Sequence, residues 1–376
     1  MTHVSSPGKL MISGEWAIME PGNPCIVVAV NRRVHARLEE YSGININMKD
    51  FGISADAEFD GNKLVFKSKV TEEDFDKLVF IQASIETALK YIKEAGKKQK
   101  NFRIETWKEP DAYKEDEDRI GFGYFASAIV SVVAGIMKFH GFVINDQKGK
   151  ELVFKLSVIA YYSTPGHGGS AYNIAASVYG NAIVYRRFDG EWFKPELNQI
   201  ENRKSDIKTL VGKNWPGLYI KEISLPHDMQ LCVAWTGSPS STRSMVKQMT
   251  SFKKQNSMGY SMLMSQIRNT TDYLITYFRS GDRQNIIETL KKNQEYLKEL
   301  GVKSGVETET PALRKLAWIA AKNGCAGKQS GAGRGNYGLA VCFDREAAEK
   351  VKNQWLASGI TPLDLSIDKE GLKEEI

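Results

Sequence analysis

Apolar and polar positions change period along this chain, and the changes mark its elements. Residues 4 to 66 alternate in the manner of strands, most clearly at 25–30, 34–38 and 63–66. Residues 80–97 carry apolar side chains at helical spacing, and 101–107 return to a strand pattern. A polar, acidic stretch at 108–119 reads as a loop. Helices are predicted over 124–140 and 149–162, then a short helix over 171–178 and a strand over 181–188. In the second half, strands are expected at 218–224 and 229–235, and helices at 242–253, 257–280, 283–300 and 311–323. A strand at 337–343, a helix at 345–357 and a strand at 360–367 close the pattern. Strands and helices mix without βαβ repetition, which reads as an α+β fold. No internal repeat or low-complexity linker interrupts it. A chain of 376 residues buries a large core and is expected to form two lobes, 1–190 and 191–376.

Composition narrows the class of function. Hydrophobic content of 42% and charged content of 26% are those of an ordinary globular protein. No run of eighteen apolar residues occurs, so no membrane span is expected, and the first residues lack a signal-peptide pattern. Cys25, Cys232, Cys325 and Cys342 are scattered without CxxC spacing. They read as buried thiols in a reducing, cytoplasmic setting, not as a disulfide framework or a zinc site. The net charge of +6 is dispersed over amphipathic helices, which argues against nucleic acid as a partner. A small polyanionic ligand suits such a surface better. Oligomeric state is not legible.

Two glycine-rich segments carry the candidate chemistry. Gly121-Phe122-Gly123-Tyr124-Phe125-Ala126-Ser127 runs straight into an apolar helix, and Gly331-Ala332-Gly333-Arg334-Gly335-Asn336-Tyr337-Gly338 lies near the end. A glycine turn opening a helix aims backbone N–H groups outward at the positive end of the helix dipole, a ready anion site.

The order of three segments adds to this. Pro7-Gly8-Lys9-Leu10-Met11-Ile12-Ser13-Gly14-Glu15-Trp16 stands first, the Gly121 segment second and the Gly331 segment last. With Asn173-Ile174-Ala175-Ala176-Ser177, Asn214-Trp215-Pro216-Gly217 and Ala234-Trp235-Thr236-Gly237-Ser238, the chain resembles the GHMP kinases, in particular bacterial phosphomevalonate kinases. The likeness runs from about residue 4 to about 366. It implies a two-lobed GHMP kinase fold, ATP and Mg²⁺ as cofactors, and phosphoryl transfer to a small phosphorylated molecule of isoprenoid biosynthesis. It places Lys9 at the family's N-terminal lysine. Gly121, Gly123, Tyr124, Phe125 and Ser127 fall on the phosphate loop. Ser238, Ser240, Ser241, Gly331, Gly333, Arg334 and Asn336 fall on substrate-binding segments.

The departures from the family pattern cluster in these loops. Where the family reads Gly-Leu-Gly-Ser-Ser, Tyr124 and Phe125 replace the two serines. An aromatic ring does not ligate Mg²⁺, which takes oxygen. Where the family reads Ser-x-Gly-Asp, Asn173 stands at the aspartate after Ser170, and an amide accepts no proton. Asn336 likewise replaces a carboxylate. Whether the chain is an active enzyme stays open between three readings. The first is a kinase with unusual loops. The second is a kinase-fold protein that has lost catalysis and still binds nucleotide. The third is a pocket rebuilt, by nature or by engineering, for other chemistry, with His167 and Ser170 as a Ser–His hydrolytic pair. The altered loops predict an aromatic wall of Phe122, Tyr124, Phe125, Tyr172 and Tyr337, and no bound metal.

Overall fold

The computed structural model describes residues 1–109, 122–166, 168–237, 242–334 and 337–375. The N-terminal half runs β1 (Thr2–Ser13), β2 (Pro24–Glu40), β3 (Ile44–Met48), β4 (Ile53–Phe59), β5 (Leu64–Phe66), α1 (Glu72–Glu94) and β6 (Phe102–Lys108). Then come α2 (Tyr124–Phe139), α3 (Gln147–Ser163), α4 (Tyr172–Tyr179) and β7 (Ala182–Arg186). The second half runs α5 (Gly190–Glu201), α6 (Ile207–Gly212), β8 (Tyr219–Glu222), β9 (Gln230–Trp235), α7 (Thr242–Gln255), α8 (Ser257–Ser280) and α9 (Arg283–Ser304). It closes with α10 (Pro311–Lys322), β10 (Ala326–Gln329), β11 (Tyr337–Cys342), α11 (Arg345–Leu356), β12 (Thr361–Leu363) and β13 (Lys373–Glu374).

Strands and helices form the mixed fold that the pattern predicts. Among the described residues a nine-stranded sheet runs β13-β1-β2-β6-β3-β4-β5, with β7 on the first part of β2 and β8 beyond it. Its C-terminal members β8 and β13 come from the second half of the chain. A four-stranded antiparallel sheet follows the order β10-β11-β9-β12.

The apolar run at 25–30 has a structural cause. Cys25 and Val27 face one core, against α1 to α4, while Ile26, Val28 and Val30 face another, against α8, α9 and the smaller sheet. A strand buried on both faces reads as continuous apolar sequence. β1 shares this position: Val4 and Met11 lie in the first core, and Leu10 and Ile12 in the second. The strands beneath the candidate site are thus fixed from both sides.

Several elements differ from the sequence expectation. α1 starts at Glu72 because Thr71 caps it, accepting from the Asp74 N–H, with acidic residues filling the first turn. Residues 190–212, unassigned by pattern, form α5 and α6, opened by the caps Asp189 and Asp206. β10 and β13 are too short to show a period of two. The expectation of four free thiols is corrected for two of them. Cys325 and Cys342 are joined in a disulfide, while Cys25 and Cys232 are free and buried. β10 and β11 pair with Ala326 opposite Val341, which sets Cys325 beside Cys342 with Cα atoms 4.7 Å apart. Strand register is invisible in cysteine spacing.

Candidate functional site

β1 carries the first part of the site. A register shift against β2 falls between Pro7 and Gly8. At Gly8 the chain passes so close to the first glycine turn that a Cβ there would sit 2.9 Å from Phe122 Cβ. The next residue, Lys9, donates its backbone N–H to the Phe122 carbonyl at 2.9 Å. The first glycine turn is therefore bolted to the strand that presents Lys9.

Gly123 caps α2 in the left-handed region, φ 82°, and Phe122 before it also has positive φ. A Cβ on Gly123 would lie 3.2 Å from Lys9 Cε and 3.9 Å from Asn173 Cβ. Asn173 stands in the first turn of α4, which opens after Ala171, another left-handed residue. The Lys9 ammonium lies 5.4 Å from the centroid of the Tyr172 ring. A Cβ on Gly331 would approach the Tyr172 hydroxyl at 3.9 Å. Gly123, Lys9, Tyr172, Asn173 and Gly331 thus form one continuous patch, and the two glycine turns lie on the same side of the molecule. The Phe122 and Tyr337 rings stack across them with centroids 4.1 Å apart.

Lys9 is the charged side chain within this patch, with the Glu15 carboxylate behind it. Lys9 has no hydrogen bond or ion pair from its ammonium among the described residues. Burial draws its pKa down from 10.5 to about 8. Burial also pushes the Tyr172 phenol and the Cys25 thiol upward, and the Glu15 charge adds to both shifts. The positive ends of α2 and α4 add to the positive field. An arrangement of this kind attracts an anion and supplies hydrogen-bond donors to it.

Of the expected aromatic wall, Phe122, Tyr124 and Tyr337 line one small cavity beside Gly8 and Ser127, while Phe125 and Tyr172 lie outside it. The Tyr124 hydroxyl donates to Asp50 Oδ2 at 2.8 Å, and its ring meets Phe51 edge-on. Phe125 packs on Phe80 of α1, centroids 4.7 Å apart. Phe125 serves the frame behind the turn, because α1 offers an apolar surface there. Ser127 is buried, donating to the Pro7 carbonyl at 2.8 Å and lying 3.3 Å from Ser177 Oγ. Ser170 is buried, and its carbonyl accepts from the Tyr185 hydroxyl at 2.5 Å. Arg334, in the left-handed region, is half-exposed and faces Glu307 at 3.6 Å. Gly333 packs against the Thr308 carbonyl so closely that a Cβ would lie 2.0 Å from it. Gly121, His167, Ser238, Ser240, Ser241 and Asn336 lie outside the described residues.

Sequence reasoning missed the support beneath the second turn. Lys328 of β10 forms an ion pair with Glu15, and both side chains have 0% exposure. A lysine in a four-residue strand reads as a surface charge; only its unbroken run of buried neighbours marks it otherwise. No group of three His, Cys, Asp or Glu able to hold a metal ion occurs among the described residues. No described helix is long and apolar enough to cross a membrane.

Comparison with known proteins adds to this geometry. Residues 274–361 match the family described as GHMP kinases C terminal. The phosphomevalonate kinase of Streptomyces sp. (strain CL190) is 27% identical over 378 residues, covering 98% of this chain and 97% of that protein. The phosphomevalonate kinase of Saccharolobus solfataricus is 25% identical over 393 residues, covering 100% and 99%. Among solved structures, the Lin0012 protein from Listeria innocua superposes with a TM-score of 0.88 at 29% identity, covering 99% of each chain. Streptococcus pneumoniae phosphomevalonate kinase, in complex with phosphomevalonate and AMPPNP, shares the fold with a TM-score of 0.82 at 22% identity, covering 98% of this chain and 100% of that one.

Proposed function

From the premise that this chain belongs to the GHMP kinases and is phosphomevalonate kinase-like, we propose that its cleft binds an adenine nucleotide and a small phosphorylated substrate, with phosphoryl transfer lost or slowed by several orders of magnitude. One observation carries the reading. The patch between the glycine turns has a lysine and two helix N-termini, yet the position facing Gly123 and Lys9 is the amide Asn173.

The positive groups suit phosphate oxygens. Lys9 neutralises one charge, and the backbone N–H groups at the start of α2 cradle another oxygen. Asn173 orients an attacking hydroxyl by hydrogen bonding but takes no proton from it. Losing a base or a charge-stabilising group lowers a rate by roughly 10²–10⁴. Mg²⁺ does not fit the described donor set. Asn173 is neutral, Tyr124 is committed to Asp50, and Phe125 offers no oxygen.

The test is a coupled assay of ADP release with ATP, Mg²⁺ and phosphomevalonate, on the native chain and on Asn173→Asp. The expected result is negligible turnover in the native chain and a measurable gain in the variant. Turnover of about 1–100 per second by the native chain, the ordinary range for kinases, refutes the loss.

A further inference from the structure

The N-terminal segment is laced to the second glycine turn at three successive points. Met11 N–H donates to Ser330 Oγ at 3.0 Å, and Ser330 Oγ donates back to the Met11 carbonyl at 3.0 Å. Lys328 pairs with Glu15. Trp16 Nε1 donates to the Ala332 carbonyl at 3.2 Å. The middle tie differs in kind from its neighbours, because it buries two ions completely.

Such a pair is a poor way to gain stability. Taking two charges out of water offsets most of their attraction, and an apolar pair of similar volume does as well or better. Among the described residues Glu15 Oε2 has no hydrogen-bond partner, so even the available lone pairs are not all met. What an ion pair supplies, and an apolar pair does not, is a fixed direction. The Lys328 ammonium also donates to the Gln329 carbonyl at 2.7 Å. Gln329 in turn donates its backbone N–H to Gln294 Oε1 at 3.0 Å, and its side-chain amide reaches the Gly331 carbonyl at 3.4 Å. Gln294 is held by Glu309, which accepts from its Nε2 at 2.9 Å. The chain of contacts runs from Glu15, through Lys328 and Gln329, into the turn itself.

We infer that Lys328 is a positioning residue for the cleft: its buried pair with Glu15 sets the Gly331 turn at a fixed height against β1, the strand that presents Lys9. The inference rests on the reading of the cleft as an anion-binding site. It predicts that losing the pair frees the Gly331 turn while the first glycine turn, tied to β1 at Lys9, stays in place. A supporting shell of this sort holds ligand-binding groups in place without touching the ligand.

Two neutral substitutions separate positioning from plain stability. Lys328→Met alone strands the Glu15 charge in the interior and lowers the melting temperature. Adding Glu15→Gln removes that charge, and the melting temperature recovers toward the native value. In the double variant without ligand, backbone amides at 330–334 exchange with deuterium about tenfold faster than in the native chain, while those of α2 keep their native rates. AMPPNP binds the double variant about tenfold more weakly, the affinity lost with a loosened site. Native exchange at 330–334 in the folded double variant overturns the inference, whatever happens to stability. If the double variant does not fold, Glu15→Leu alone, which removes the acceptor while burial lets Lys328 shed its proton, is measured in its place. Faster exchange at 330–334 supports the inference and unchanged exchange ends it. Absence of AMPPNP binding by the native chain sinks the reading of the cleft instead, and the exchange measurement still decides the role of Lys328.

Discussion

Phe122 lies stacked on Tyr337, ring centroids 4.1 Å apart and planes 26° from parallel. Phe122 belongs to the first glycine turn, and Tyr337 begins β11 just beyond the second. Among the described residues the stack is one link between the turns, and another runs through Lys9 and Tyr172. An aromatic pair of this geometry contributes about 1 kcal/mol beyond its area. A double-mutant cycle with Phe122→Leu and Tyr337→Leu is expected to give a coupling free energy of that size in denaturant unfolding. Additive effects of the two substitutions show the rings to be neighbours without coupling.

Lys9 predicts a pH dependence. Its pKa in the folded chain, about 8, lies below its ordinary 10.5. Between these values the unfolded chain holds the proton and the folded chain does not, so this group makes stability rise with pH across that window. Anion binding runs the other way, because only the ammonium attracts phosphate. Affinity for AMPPNP, followed by calorimetry, is expected to be flat below pH 8 and to fall about tenfold per unit above it. Lys9→Met is expected to remove that dependence along with most of the affinity.

Tyr124 gives a test of its place in the frame. Its hydroxyl bonds to Asp50, and burial together with that carboxylate raises its pKa. Tyr124→Phe is expected to lower stability by about 1.5–3 kcal/mol, the usual effect of losing a hydrogen bond to a charged acceptor. Nucleotide affinity is expected to stay the same. A large loss of affinity with little loss of stability would assign the hydroxyl to the ligand instead.

The disulfide yields a chemical count. Denatured, unreduced protein is expected to take up two alkyl groups, at Cys25 and Cys232, and reduced protein four. A closed loop with a sequence separation of 17 stabilises the fold by about 3 kcal/mol in the chain-entropy account. Cys342→Ala is expected to lower the urea midpoint accordingly.

Gly8 offers the most local test of the first turn. Alanine there would press on Phe122 Cβ at 2.9 Å, its carbonyl at 3.1 Å and the Arg32 carbonyl at 3.2 Å. Two of those neighbours are backbone and have little room to yield. Gly8→Ala is expected to cost about 1–3 kcal/mol, the range for overpacking, and to weaken AMPPNP binding as the turn shifts from Lys9. Native stability in this variant would mean that β1 and the turn separate easily.

The sequence alone determined the fold class and most of its elements, because amphipathic helices and two-faced strands write their period directly into the chain. It also named Lys9, Gly123, Asn173 and Gly331, which the fold brings into one patch, since glycine turns and their order are local features. It did not determine where Tyr124 and Phe125 point. Both follow the first glycine turn, and only the nearness of Asp50 to the Tyr124 hydroxyl and of Phe80 on α1 to the Phe125 ring decides their directions. Nor did it reveal the bond between Cys325 and Cys342, which depends on the register of β10 against β11. The Glu15–Lys328 pair lay deepest of all. The two residues stand 313 positions apart, and a charge declares itself buried only when the strands that enclose it have met.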